Sequence, residues 1–321
     1  MKLKKLRKFL KFIFSRPNII FLCALLAGFI IPQASAITIF LILPALMTIM
    51  TITPLKIPRG FFRRVRPLIN PALKGNLMNY ILLGNVIIFA GIFFFIQEIA
   101  FWFGLVLVAA VPPAVGILAL GKNLKADSTI VFAGFAGAHL GALLVIPLIG
   151  LGFLKYTELN YWLILVIVIA LIVLPLVVSR VIVEREWDKK IETHAGVIID
   201  ACFFIVFYTI TAKIRPFVID WTLDMTKITF IAALSVFLIF FIFCKIARLT
   251  NAAESKTSAW LLLATMKNYG LAGGLALLVF SPEAAFAALA FAVVNFIYTN
   301  WLNYKKVFQG KNISAQDTPP S

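Results

Sequence analysis

The sequence predicts an all-α polytopic membrane protein of about ten transmembrane helices, arranged as two inverted five-helix repeats. Three observations predict it. Hydrophobic residues make up 62% of the chain and charged residues 13%, against about 45–50% and about 25% in soluble proteins. Apolar runs of roughly 20 residues, the length that crosses a hydrocarbon core of about 30 Å, recur from end to end. Two of those runs are interrupted near their middles, at matching places in the two halves. Stretches such as 163–178 are apolar on every side. A barrel strand would alternate instead, so the spans are helices, which satisfy their own backbone hydrogen bonds in lipid.

In chain order, residues 1–16 form a basic N-terminal segment. The segment and the run after it resemble a secretory leader ending at Ala34-Ser35-Ala36, but the helix count favours a retained first span. Spans follow near 17–33, 36–54, 76–97, 99–122 and 127–150, making a first repeat over 17–155. A second repeat over 156–304 carries spans near 160–182, 194–213, 226–247, 257–280 and 283–303. Residues 305–321 are a polar cytoplasmic tail, read as disordered from Gln309 onward.

An even number of spans puts both termini on one side. The loops and ends on that side carry 25 Lys and Arg, and the opposite loops carry four. This asymmetry places both termini in the cytoplasm of a plasma membrane of the bacterial inner-membrane type. It also accounts for the net charge of +17 without nucleic acid as a partner. In segment 56–68, Phe61, Phe62, Val65 and Leu68 can face lipid while Arg59, Arg63, Arg64 and Arg66 face anionic headgroups. An ordinary basic loop is the competing reading. Cys23, Cys202 and Cys244 stand singly in apolar runs and match no metal or redox spacing.

The fourth span carries Pro112-Pro113 and the ninth carries Lys267-Asn268-Tyr269-Gly270, followed by Gly273 and Gly274. Consecutive prolines break a helix, and glycines weaken one. Both interrupted spans are fourth in a half of five, and five spans per half insert the halves in opposite orientations. Matched interruptions of this kind point to a transporter site near the bilayer midplane. Ionisable residues inside spans need a reason, because a buried charge costs about 2.5–3.5 kcal/mol on insertion scales. Lys267 lies in the ninth-span break, Asp200 some two turns into the seventh span, and His139 midway along the fifth. Lys267, Asn268, Pro112, Pro113, Gly270, Asp200 and His139 are therefore the candidate substrate- and ion-coupling residues. Asp127 is read as a structural cap of the fifth helix.

The stretches VAAVPPAVGILALGKNLKADSTIVFAGFAGAHLGALLVIPL, from Val108, and ATMKNYGLAGGLALLVFSPEAAFAAL, within 257–290, resemble helices 4–5 and 9–10 of the bile acid:sodium symporter superfamily. The resemblance implies a panel domain, a core domain in which two broken helices cross, and transport of organic anions, commonly with sodium. The same fold is found in the sodium/proton antiporter NhaA. This chain departs at the positions where the family ligates sodium. Those positions fall at Ile117, Leu118, Val131, Phe135 and Leu263, and a glutamine falls at Lys267, while Asn268 is retained. Hard cations need oxygen ligands, so no sodium, metal or other cofactor is expected. Two roles stay open for Lys267: a lysine that exchanges its proton and couples transport to protons, or a fixed charge that attracts an anion or locks the crossing. The arsenite permeases use a cysteine near the fourth-helix break, and none of the three cysteines lies there.

The resulting expectation is a secondary permease for a small organic anion, coupled to protons or uncoupled. A non-transporting sensor, with Lys267 and Asp200 paired, and an auxin-efflux-carrier-like permease are the alternatives. GxSxG, HExxH and paired intramembrane aspartates are absent, which argues against an enzyme, and no Walker-type loop supports ATP-driven transport.

Overall fold

The computed structural model describes residues 17–153 and 161–316. The basic segment 1–16, the boundary between the expected repeats at 155–156 and the last residues of the tail lie outside the described residues. Every regular element among the described residues is helical. Helix α1 spans Pro17–Ile30. Helix α2 covers Pro32–Lys56 with short 3₁₀ turns at both ends. Helix α3 covers Arg66–Phe95. The fourth span is split into α4, Ile99–Ala110, and α5, Ile117–Asn123. There follow α6, Ser128–Phe153, α7, Tyr161–Glu184, α8, Asp188–Ile219, and α9, Leu223–Leu249. The ninth span is split into α10, Glu254–Thr265, and α11, Tyr269–Val279, and α12 runs over Pro282–Gln316.

Seven of these helices are long and apolar enough to cross a membrane: α2, α3, α6, α7, α8, α9 and α12. The shorter apolar helices α1, α4 and α11 fall in the first, fourth and ninth expected spans. Large apolar side chains such as Phe40, Phe89, Phe93 and Trp162 are mostly exposed. A soluble monomer does not spread such surface over its outside; in lipid it costs nothing. The protein is a multi-pass membrane protein.

Helix packing sorts the spans into two groups. In one, α1 lies on α8, α8 on α2, and α2 on α7. In the other, α3 packs on α6 and α4, and α12 packs on α4, α9 and α11. The groups meet where α8 touches α11 and α12, and where α7 touches α6. Small residues make the close crossings, as is usual where lipid supplies no hydrophobic drive between helices. A Cβ on Gly28 of α1 would lie 2.6 Å from the Tyr208 carbonyl oxygen of α8. A Cβ on Gly75 of α3 would lie 2.6 Å from the Gly134 Cα of α6.

Two expectations are corrected. The third span begins at Arg66 rather than near 76, because the first turns of α3 are held against α6. Leu68 is accordingly buried rather than facing lipid, and Phe61 packs edge-on against Phe132 at 5.7 Å. Helix α12 continues to Gln316, through most of the segment read as disordered. Extending an existing helix fixes one residue per hydrogen bond and avoids the cost of nucleation, and no proline intervenes before Pro319.

Candidate functional site

Helix α4 ends where Pro112 and Pro113 can no longer donate, and the residue before a proline is pushed into extended backbone. Val111 accordingly has ψ 150°. Helix α10 ends at Thr265, and Met266 is extended at φ −115°, ψ 122°. The two extended segments lie antiparallel, with Pro113 opposite Lys267. The Asn268 N–H donates to the Pro112 carbonyl at 2.8 Å, and the Ala114 N–H donates to the Met266 carbonyl at 3.4 Å. Each break thus satisfies backbone groups that the other has freed, as a dry interior requires.

Lys267 is fully buried at this junction. Its Nζ donates to three oxygens: the Ala109 carbonyl at 2.8 Å, the Asn79 Oδ1 at 2.9 Å and the Val111 carbonyl at 3.1 Å. The two carbonyls belong to the C-terminal end of α4, where unpaired C=O groups and the helix dipole favour a cation. The Nζ also lies 4.9 Å from the centre of the Tyr80 ring, a cation–π distance. The Tyr80 hydroxyl is held by the Ala138 carbonyl at 2.7 Å. Among the described residues no carboxylate pairs with Lys267. Helix-end carbonyls, an amide and an aromatic face surround it instead. An ammonium has three N–H donors, and three acceptors meet it.

The remaining candidates divide. Asn268 serves as the N-cap of α11: its Oδ1 accepts from the Leu271 N–H at 3.1 Å, and its Nδ2 approaches the Met50 sulfur at 3.4 Å. Gly270 lies inside α11, after the break, and a Cβ there would make only ordinary contacts, the shortest 3.6 Å. Gly273 and Gly274 also sit within α11, where they admit Ile210 and Leu46. The interruption is therefore carried by residues 266–268, and of the glycines Gly273 and Gly274 serve packing. Asp200 is half-buried on α8, and Lys56 is the charge that acts on it; it is not a partner of Lys267. His139 is buried on α6, with its ring 3.9 Å from that of Phe135 and its Nδ1–H bonded to the Phe135 carbonyl at 2.9 Å. The Asp127 Oδ1 accepts from the Ile130 N–H at 3.1 Å, which caps α6.

Ile117, Leu118, Val131, Phe135 and Leu263, the five positions singled out for missing sodium ligands, belong to one buried apolar cluster, together with Ile57 and Met266. None of these five side chains carries an oxygen. Asn79 and Tyr80 escaped the sequence reading. They lie in a π-helical stretch of α3, Leu77–Gly84, and such wide turns often mark functional positions. The one available signal was a fully polar amide within an apolar run. No protein-family model matches the chain, and no curated protein matches it.

Proposed function

We propose that this protein is a secondary permease for a small organic anion, working by alternating access around the crossing of its two broken spans. The observation that carries this reading is the junction itself: two interrupted helices, fourth and ninth in the ten-span count, bonded to each other through their breaks, with a buried cationic side chain at the meeting point. Broken helices at membrane depth are tolerated where they line a site, and transporters use them so. The packing supports two inverted repeats. The contact of the first span with the seventh has its counterpart in that of the second with the sixth, and third-on-fifth is matched by eighth-on-tenth. The two packing groups support a division into panel and core of the kind that the resemblance to bile acid:sodium symporters implies. The charge asymmetry supports cytoplasmic termini.

Of the two roles open to Lys267, a fixed charge suits its surroundings better. A neutral amine offers two N–H groups to three acceptors, whereas an ammonium serves all three. In this reading the ammonium stands where the related symporters hold a cation, and transport proceeds without sodium. The experiment is counterflow in proteoliposomes across a panel of small organic anions, with and without sodium and with and without a pH gradient. Flux of an anion that is indifferent to sodium is expected; flux that demands sodium overturns the reading.

A second reading rests on one further observation. Every donor of Lys267 is already engaged within the protein, which suits a locked crossing in a non-transporting sensor. Saturable anion binding with no counterflow would select it.

A further inference from the structure

A basic cluster at the start of α3 has no partner in the site described above. The loop before it is pinned to the end of α7. Arg59 pairs with Glu184 at 3.3 Å and also with Glu186. Arg180 donates to the Ile57 carbonyl at 3.1 Å and to the Pro54 carbonyl, and its guanidinium lies 5.7 Å from the Phe62 ring. Gly60 turns the chain at φ 72°, a left-handed conformation that costs a glycine little. Arg63, Arg64 and Arg66 follow. All three are exposed, and none forms an ion pair among the described residues.

The anchoring decides what these arginines can do. Arg59 takes Glu184 and Glu186, and Arg180 takes the Pro54 and Ile57 carbonyls, so the next three arginines follow on a held segment. Below them runs an apolar track. Ile69, Leu73, Leu77 and Ile81 are 49%, 65%, 51% and 59% exposed. With Arg66 at its head, their spacing of three and then four residues puts them on one helix face. A cluster of guanidinium groups above a lipid-facing apolar stripe is complementary to a molecule with an anionic head and long acyl chains. Guanidinium groups bind phosphate oxygens in bidentate fashion.

We infer that Arg63, Arg64 and Arg66 with the Ile69–Ile81 face form a seat for an anionic phospholipid. The seat depends on the membrane location of the chain and not on the transport reading. The headgroup phosphate takes the arginines, and one acyl chain lies along the stripe.

The test is lipid binding to the purified full-length chain in detergent, followed by native mass spectrometry, with phosphatidylglycerol and phosphatidylcholine of identical acyl chains. Phosphatidylglycerol is expected to be retained preferentially. Arg63→Gln/Arg64→Gln/Arg66→Gln is expected to weaken its binding on the order of a hundredfold, from roughly one order-of-unity kcal/mol contribution per basic residue. The control Lys122→Gln/Lys125→Gln/Lys256→Gln removes equal charge elsewhere and is expected to leave binding unchanged. Arg63→Lys/Arg64→Lys/Arg66→Lys keeps the charge but loses the bidentate fork and is expected to bind between the native chain and the glutamine variant, so a folding defect in the glutamine variant is recognisable. Equal retention of both lipids by the native chain overturns the proposal. So does an equal loss in the control, and so does displacement by inorganic phosphate at matching concentration, which would mark a free-phosphate site.

Discussion

The Lys267 Nζ donates to the Asn79 amide oxygen at 2.9 Å, joining two residues 188 positions apart in the chain. The amide nitrogen of the same Asn79 reaches the Leu263 carbonyl at 3.4 Å. Asn79 therefore spans the last turn of α10 and the break that follows it, and ties both to α3. A buried charge without a counter-ion persists only where its donors are filled. Here the filling comes from one amide and the end of one helix, so the position of Lys267 depends on the π turn that aims Asn79.

Asn79→Leu keeps the volume and removes both bonds. A hydrogen bond to a charged group contributes about 1.5–3 kcal/mol, so the variant is expected to lose about that much in reversible unfolding in detergent. Lys267→Met is expected to cost as much or more, because it strands the Ala109 and Val111 carbonyls as well. The double variant should cost clearly less than the two losses added together, since removing both partners leaves fewer orphaned groups. Strict additivity would mean that the two side chains do not interact.

Much of this junction was legible in the sequence. Pro112-Pro113 cannot sit in a continuous helix, and Lys267 cannot sit at the midplane without a reason. Both constraints are local. Asn79 was not legible, because its meaning comes from a partner in a distant span and a lone asparagine in an apolar run carries no spacing signal. The start of α3 at Arg66 was hidden for a related reason. A run of arginines reads as loop, and the approaches of Ala72 to Gly137, Gly75 to Gly134 and Asn76 to Gly141, which no local pattern reports, draw those turns against α6. The glycines of α11 misled in the other direction: glycine weakens a helix and also lets helices approach, and the sequence does not distinguish the two.

The cap at the second break is separable from the ammonium seat. Asn268→Ala removes the side-chain acceptor for the Leu271 N–H, and losing such a cap costs about 0.5–2 kcal/mol. Asn268→Asp retains the acceptor oxygen and is expected to recover most of that loss. Thermal unfolding of the two variants side by side checks this. An aspartate variant as damaged as the alanine variant would place the importance of Asn268 in its Nδ2 contact with Met50.

Glycines of similar appearance should respond oppositely to a methyl group. A Cβ on Gly104 of α4 would collide with the backbone carbonyl oxygen of Ala284 in α12, and backbone cannot swing aside. Gly104→Ala is expected to destabilise by about 1–3 kcal/mol through overpacking. At Gly270 the nearest atoms would be 3.6 Å away, and alanine in a helix is favoured over glycine by roughly 0.5–1 kcal/mol. Gly270→Ala is expected to be neutral or stabilising. A Gly270→Ala loss as large as that of Gly104→Ala would show that the space around Gly270 is tighter than these distances indicate.

The role assigned to Lys267 has a sharper consequence in its absence. Lys267→Ala removes a tethered cation and leaves its three oxygen acceptors, the Asn79 Oδ1 and the carbonyls of Ala109 and Val111, around the space it filled. The two carbonyls still form the negative end of the α4 dipole. The variant should therefore respond to small free cations where the native protein does not. Ligand at a hundred times its Kd stabilises by about 2.7 kcal/mol, enough for a clear rise in unfolding temperature. Methylammonium, sodium and potassium are the cations to titrate, with choline as a cation too large to enter. Methylammonium is expected to act most strongly, because it restores three N–H donors on a carbon stem. If the native charge is needed for transport, the same cation should recover part of the anion flux lost in Lys267→Ala. A variant that is blind to every cation, in both stability and flux, would mean that the junction collapses over the missing side chain, and that Lys267 holds the crossing together by its stem and packing as much as by its charge.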